Sequence, residues 1–196
     1  MRRLIVATTN RGKLREIEML LDGVTFTLVT LADWPEVAPP EETGPTFAGN
    51  ARLKALYYAR HTGELTVAED SGLEIDALGG APGVESARFG GASSSYPEKF
   101  ALIYDALRAK KAAGSTARFV CALALARGGD VLFETRGTVE GIIAPEPKGS
   151  GGFGYDPIFY YPPFGCTLAE AGDRKAAVSH RGEAFGKLRT YLMTQK

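Results

Sequence analysis

The stretch VAEDSGLEIDALGGAPGVESARF, residues 67–89, decides how the rest of the chain is interpreted. The pattern predicts a short strand, Leu65–Ala68, that ends at two adjacent carboxylates, Glu69 and Asp70, followed by Ser71 and Gly72. In open α/β sheets, ligands gather beyond the carboxyl ends of strands. A carboxylate pair at such a place suits Mg²⁺ binding or the activation of water. The alternative interpretation is an acidic turn that keeps the strand end soluble.

The composition is that of an ordinary globular protein. Of the 196 residues, 44% are hydrophobic and 23% are charged, which predicts one domain spanning residues 1–196. Lys and Arg total 23, as do Asp and Glu, so no overall field attracts the chain to polyanions. We therefore expect no nucleic acid and no membrane among its partners.

Near the N-terminus, the apolar run at residues 4–7 is too short for a signal peptide or a membrane span. The two cysteines, Cys121 and Cys166, have no spacing typical of a metal site. They are most simply thiols in a reducing compartment, so we expect a cytoplasmic location.

The opening unit is predicted to be a strand at residues 4–7, a polar turn and a helix. Asn10 is a good helix N-cap, and Lys13 lies one turn inside the helix. A helix N-terminus with a nearby lysine favours anion binding. An ordinary capped helix with a surface lysine fits the same pattern.

Further elements follow from hydrophobic periodicity. A helix at 46–60 carries Asn50 and Lys54 beside its apolar face, after an acidic loop that contains Glu41 and Glu42. Other predicted elements are a strand at 25–29, a helix at 97–113, and two β-rich runs, 117–126 and 131–138, joined as a hairpin.

A glycine-rich loop, KGSGGFGYDP, spans residues 148–157. Glycines let a flat ring approach the backbone, which suits a nucleobase stacked on Phe153 or Tyr155. Aromatic rings turned into the core fit the loop equally well. In the tail, His180 and Arg181 are predicted at the start of a helix that runs to about Met193, where something negative or hydrogen-bond accepting should lie opposite.

Five blocks of sequence, in order along the whole chain, resemble the inosine triphosphate pyrophosphatase family, also called dITP/XTP or non-canonical purine NTP pyrophosphatases. The blocks are TTNRGK at 8–13, ETG at 42–44 leading to Asn50-Ala51 and Lys54-Ala55, residues 69–89, GFGYDPIF at 152–159, and SHRG at 179–182.

The resemblance implies an elongated α/β fold in which a mixed β-sheet with flanking helices forms two lobes around a central cleft. It implies a homodimer and Mg²⁺-dependent hydrolysis of ITP, dITP and XTP to the monophosphate and pyrophosphate. Water attack at the α-phosphorus needs a base, a metal and cationic donors for the leaving pyrophosphate, and the blocks contain such residues.

The resemblance also implies residue roles. Asp70 matches the general base and a metal ligand, with Glu69 and either Glu41 or Glu42 completing the metal shell. The positions that match substrate contacts are Thr8, Thr9, Asn10, Arg11, Gly12, Lys13 and Lys54 for the triphosphate, Ser71 beside the base, and Phe153, Gly154, Tyr155, Asp156, Lys175, His180 and Arg181 around the nucleobase.

Two positions depart from the family pattern. Glu69 stands where many relatives have aspartate, and Gly49 stands where many have glutamate. Two alternative functions also fit the sequence: a pyrophosphatase for modified pyrimidine nucleotides, and a non-catalytic nucleotide-binding module.

Overall fold

The computed structural model describes residues 2–195, the side chains at 176 and 177 excepted. Within this range the chain forms a seven-stranded sheet and four α-helices. The strands are β1 (Arg2–Val6), β2 (Phe26–Thr30), β3 (Leu65–Ile75), β4 (Thr116–Arg127), β5 (Asp130–Ile143), β6 (Phe159–Tyr161) and β7 (Cys166–Thr167). The helices are α1 (Arg11–Leu20), α2 (Phe47–Thr62), α3 (Tyr96–Ala109) and α4 (His180–Thr194).

The sheet has the strand order β2-β1-β3-β4-β5-β6-β7. Strand β1 pairs in parallel with β2 and β3, so that Leu4 lies opposite both Leu28 and Leu65. Helices α1 and α2 lie in the two connections, as parallel neighbours require a crossover. The β5-β6 and β6-β7 pairs are antiparallel. The predicted mixed α/β sheet is therefore confirmed.

The helix predictions are close to the observed bounds, with one exception. Helix α2 buries Phe47, Ala51 and Tyr58, three residues of its predicted apolar face. Helix α3 ends at Ala109 rather than at 113, because Lys111 adopts a left-handed backbone with φ of 52°. None of the described helices is long and apolar enough to cross a membrane.

Strand β3 does not end before the carboxylates, so that part of the prediction is wrong. It continues to Ile75 and carries Glu69 and Asp70 within the strand. Gly72 does not break the strand, because its bare Cα faces the turn that contains Gly83 and Ser86. The Ser86 hydroxyl accepts a hydrogen bond from the Leu73 N–H at 2.9 Å, which fixes this close approach.

Alanine at Gly72 should destabilise the fold. Its Cβ would lie 2.7 Å from the Gly83 carbonyl oxygen and 2.8 Å from Ser86 Cβ. We expect a loss of about 1–3 kcal/mol in the free energy of unfolding, measured by guanidinium titration. Gly186→Ala is the matched control, since a Cβ there meets no atom within 4 Å. An unchanged midpoint for Gly72→Ala would contradict the close packing.

The chain divides into two compact units. Unit 1 contains Met1–Asp70, Cys121–Gly137 and His180–Lys196, and unit 2 contains Ser71–Val120 and Thr138–Ser179. The core of unit 1 includes Leu4, Ile17 and Phe185, whereas that of unit 2 includes Ile103, Ile158 and Phe159. The arrangement of one domain as two lobes around a central cleft stays a prediction.

Candidate active site

The two carboxylates of β3 face different surroundings. Glu69 is 4% exposed and Asp70 is 7% exposed. Successive residues of a strand point to opposite faces of the sheet. Asp70 accordingly contacts residues of α2, whereas Glu69 contacts residues of α1 and α4. The pair is therefore two separate sites with different chemistry.

Asp70 lies at the centre of the first cluster, within unit 1. Its Oδ2 accepts a hydrogen bond from Asn50 Nδ2 at 3.1 Å, and its Oδ1 lies 3.5 Å from Lys54 Nζ. Lys54 also contacts Glu42, at 2.8 Å. Burial and the nearby Glu42 raise the pKa of Asp70, although Lys54 and Asn50 oppose the shift. A raised pKa makes this carboxylate a better proton acceptor.

The side chain of Asn50 links the acidic loop to Asp70 through two hydrogen bonds. Helix α2 begins after Thr46, whose hydroxyl accepts from the Gly49 N–H. One turn later, Asn50 Oδ1 accepts from the Gly44 N–H at 2.8 Å while its amide donates to Asp70. The side chain is 1% exposed. The loop that carries Glu42 is thus held beside the β3 carboxylate.

Lys54 is largely buried, unlike a typical lysine on an amphipathic helix. Burial alone would lower its pKa, but the charges of Asp70, Glu42 and Glu69 outweigh burial and raise it. The side chain therefore remains a fixed cation. Residues 50 and 54 lie on one helix face because they are four positions apart.

Glu42 and Asp70 fit a divalent cation. Both carboxylates approach the same ammonium group, Lys54 Nζ, so the two oxygen ligands already surround one positive charge. Carboxylate oxygens are the ligands that Mg²⁺ takes. Glu41 is exposed, so Glu42 is the better placed of the two loop glutamates. Among residues 2–195, no three His, Cys, Asp or Glu side chains form a ready metal cluster.

Glu69 is the counterion of two cations in the second cluster of unit 1. Its Oε1 lies 2.8 Å from Lys13 Nζ and 3.4 Å from Arg181 Nη2. The Cys121 thiol donates to Oε2 at 3.2 Å. Burial would raise the pKa of Glu69, but Arg181 and Lys13 outweigh it and hold the pKa well below its usual range.

Arg181 is almost completely enclosed, at 1% exposure. Its Nη1 lies 2.6 Å from Glu16 of α1, so two carboxylates neutralise it. Glu16 and Cys121 are contributors that the sequence analysis did not identify. Along β4, Cys121 is two and four positions from the core residues Leu123 and Leu125. This spacing of two is the sequence signal that places the thiol on the same face of the strand as these two leucines.

The start of α1 is already capped. Asn10 Oδ1 accepts from the N–H groups of Gly12 and Lys13, at 2.9 and 3.2 Å, which confirms the predicted N-cap. The Asn10 N–H in turn donates to Thr8 Oγ1. Thr9 and Arg11 are exposed in the same turn. An anion here meets side chains more readily than free backbone N–H groups.

A third cluster lies within unit 2, around the glycine-rich loop. Asp156 Oδ2 accepts from Lys175 Nζ at 2.7 Å and from the Phe153 N–H at 2.8 Å. Lys175 Nζ also lies 4.6 Å from the centroid of the Phe153 ring. Asp156 is 2% exposed and Lys175 is 8% exposed. The loop is therefore held by a buried ion pair.

The two aromatic residues of this loop differ. Tyr155 is turned into the core, where its hydroxyl donates to the Ser86 carbonyl oxygen at 2.8 Å. Phe153 is partly exposed. Of the two interpretations of the loop, core packing therefore applies to Tyr155, and Phe153 is left as the ring for stacking. Gly154, between them, has a left-handed φ of 69°.

His180 and Ser71 both lie within regular secondary structure. His180 is the first residue of α4 and is 6% exposed. Ser71 follows Asp70 within β3 and is partly buried.

The two cysteines should differ in reactivity. Burial, and next the charge of Glu69, raise the pKa of Cys121 well above its usual range, and its side chain is fully enclosed. Cys166 is partly exposed. We expect a maleimide to label Cys166 alone in the native protein at neutral pH, and both thiols in denaturant. Mass spectrometry of Cys166→Ser provides the control, and native labelling of that variant would contradict the buried thiol.

Comparison with known proteins points to one family. The model of the Ham1 family matches residues 4–191. A dITP/XTP pyrophosphatase of Gloeobacter violaceus is 49% identical over 193 residues, covering 96% of this chain and 93% of that protein. A dITP/XTP pyrophosphatase of Exiguobacterium sp. is 46% identical over 192 residues, covering 97% of each chain. The solved structure of a HAM1 protein from Coxiella burnetii superposes with a TM-score of 0.92 at 40% identity, covering 98% of this chain and 99% of that one.

Because both the family model and full-length relatives match this chain almost from end to end, the chain belongs to the Ham1 family.

Proposed function

We propose that this protein hydrolyses the non-canonical purine nucleoside triphosphates dITP, ITP and XTP to the monophosphate and pyrophosphate, with Mg²⁺ as cofactor. The observation that carries the proposal is Asp70, a buried carboxylate with a raised pKa that lies beside Lys54 and Glu42. The relatives named dITP/XTP pyrophosphatase support the choice of substrate.

In this mechanism, Asp70 orients a water molecule and accepts its proton as the oxygen attacks the α-phosphorus. The bond from that phosphorus to the oxygen of the β-phosphate breaks, and pyrophosphate leaves. Mg²⁺, held by Glu42 and Asp70, would neutralise the charge on the phosphate oxygens. Lys54, Lys13 and Arg11 supply positive charge for the triphosphate, and Thr8, Thr9, Asn10 and Gly12 complete its proposed contacts.

The cluster of unit 2 is the proposed nucleobase site. Phe153 offers a ring for stacking, and Lys175, held by Asp156, offers a buried donor. A donor to O6 accepts hypoxanthine and xanthine but rejects adenine, whose 6-amino group would leave the donor unpaired. Gly154 and His180 complete the proposed base contacts, and the enclosed side chains of Tyr155 and Arg181 would support the site from the core. Ser71 would contact the substrate beside Asp70. The homodimer and the cytoplasmic location stay predictions.

Release of pyrophosphate across a panel of nucleotides tests the function. With Mg²⁺, the purified protein should release pyrophosphate from dITP, ITP and XTP much faster than from dATP, dUTP and dTTP. Chelation should abolish release, and excess Mg²⁺ should restore it.

Two outcomes would contradict the proposal. Preferential release from dUTP or dTTP would indicate the pyrimidine enzyme instead. Binding of dITP without any release in Mg²⁺ would indicate a non-catalytic module.

A further inference from the structure

Lys99 of α3 is a buried lysine that no carboxylate contacts among residues 2–195. It is 3% exposed, and burial lowers its pKa. Within the described residues it has no ion-pair partner; its ammonium donates to the Ala87 carbonyl oxygen at 2.5 Å and lies 4.8 Å from the centroid of the Tyr96 ring. Burying an ammonium costs free energy, which its hydrogen bond to Ala87 and its contact with the Tyr96 ring offset.

The Ala87 carbonyl belongs to a segment that also holds the glycine-rich loop. The preceding carbonyl, that of Ser86, accepts from the buried Tyr155 hydroxyl at 2.8 Å. Ser86 itself is fixed, because its hydroxyl donates to the Gly83 carbonyl oxygen and accepts from the Leu73 N–H. The consecutive carbonyls of Ser86 and Ala87 thus accept hydrogen bonds from Tyr155 of the loop and from Lys99 of α3, respectively.

Tyr96 connects Lys99 to the loop a second time. Its ring meets the Tyr155 ring edge-on, with centroids 5.3 Å apart and planes at 90°. The Tyr96 hydroxyl oxygen also lies close to Gly154: if that glycine carried a Cβ, the two atoms would be 3.6 Å apart. Tyr96 therefore packs between the buried ammonium and the backbone that joins Phe153 to Asp156.

We propose that Lys99 and Tyr96 position this loop and thereby set the discrimination between hypoxanthine or xanthine, which carry O6, and adenine, which carries a 6-amino group. The inference rests on the proposed function, because it assumes that the loop binds the base. Discrimination depends on donors that stay within about 0.5 Å of their places, and two tethers on the same fixed segment provide that rigidity.

The variant Lys99→Met tests the proposal, with Lys110→Met as its control. Methionine keeps much of the length of the side chain but removes the ammonium and its hydrogen bond to Ala87. Lys110 is an exposed lysine at the C-terminal end of the same helix. We expect Lys99→Met to raise the KM for dITP about tenfold and to lower the dITP:dATP ratio of kcat/KM by a similar factor, with kcat little changed. Lys110→Met should match the wild type in all three quantities.

If Lys99 had a purely structural role, Lys99→Met would lower the stability of the protein without changing its selectivity. Guanidinium midpoints measured beside the kinetics separate the two effects. Wild-type KM and selectivity in Lys99→Met would overturn the proposal. If that variant does not fold, Tyr96→Leu replaces it, because loss of the ring removes the contact with Tyr155; unchanged selectivity in Tyr96→Leu would equally overturn the proposal.

Calorimetric titration with IMP and AMP separates this inference from the proposed function. If the wild type binds IMP in preference to AMP but hydrolyses no triphosphate, the proposed function fails, and a reduced preference in Lys99→Met still supports the positioning role. If the wild type hydrolyses dITP and Lys99→Met keeps its full preference, the positioning role fails alone. A wild type that neither binds nor hydrolyses these nucleotides overturns both.

Discussion

Asparagine in place of Asp70 should lower the turnover of dITP with Mg²⁺ by roughly 10²–10⁴-fold, the range expected for loss of a general base. The amide has nearly the same shape but cannot accept the proton of water, and it is a weaker metal ligand. Pyrophosphate release at saturating dITP measures the effect. The exposed Asp130 provides the control, and Asp130→Asn should retain full activity.

The same variant should keep its fold. Because the pKa of Asp70 is raised, the folded protein binds a proton there more tightly than the unfolded chain does. The favourable contribution of this group is therefore present at low pH and is lost as pH rises, so near neutrality its charge destabilises the fold. Asp70→Asn should unfold at the same or a higher guanidinium concentration. Full activity, or loss of activity only through unfolding, would contradict the role of Asp70.

Glutamine in place of Glu69 should have the opposite effect, a large loss of stability. The substitution removes the negative charge shared by Lys13 and the enclosed Arg181. Breaking a buried ion pair by removing one partner costs about 3–5 kcal/mol. Guanidinium unfolding at neutral pH measures this loss as a lower midpoint.

The loss should depend on pH with a definite sign. The pKa of Glu69 is held well below its usual range, so its stabilising contribution is complete above the unfolded pKa of about 4.3. It disappears as pH falls through the lower folded pKa. The difference in unfolding free energy between wild type and Glu69→Gln should therefore be constant from neutral pH to about pH 5 and shrink at more acidic pH.

Glu134→Gln is the matched control. Glu134 and Arg52 form an ion pair of 2.6 Å on the surface, with side chains 35% and 57% exposed. Surface pairs contribute at most about 1 kcal/mol. Equal losses in the two variants would contradict the special position of Glu69.

Local periodicity predicted the helices well, because the pattern of one helix depends on its own sequence. The buried face of α2, with Phe47, Ala51 and Tyr58, is an example. The length of β3 could not be predicted in this way. Its neighbours β1 and β4 come from distant parts of the chain, and the close approach at Gly72 depends on Ser86.

The candidate site was predictable as a set of residues but not as a set of contacts. The resemblance identified both Glu69 and Asp70. No motif shows, however, that Glu69 faces α1 and α4 whereas Asp70 faces α2. Lys54 would be solvated on a typical surface helix, and its burial follows from two carboxylates outside that helix. Lys99 carries no sequence signal, because its role depends on where the Ala87 carbonyl lies.

The amide of Asn50 makes the two oxygens of Asp70 unequal. The Gly44 N–H can only donate, so the Asn50 atom facing it is the carbonyl oxygen, and the amide NH₂ must point at Asp70 Oδ2. Oδ1 faces a donor of another kind, the charged ammonium of Lys54, at the longer distance of 3.5 Å. The two oxygens of one carboxylate therefore accept from a neutral amide and from a cation, respectively. A chemically symmetric group thus becomes unsymmetrical through its two neighbours on α2.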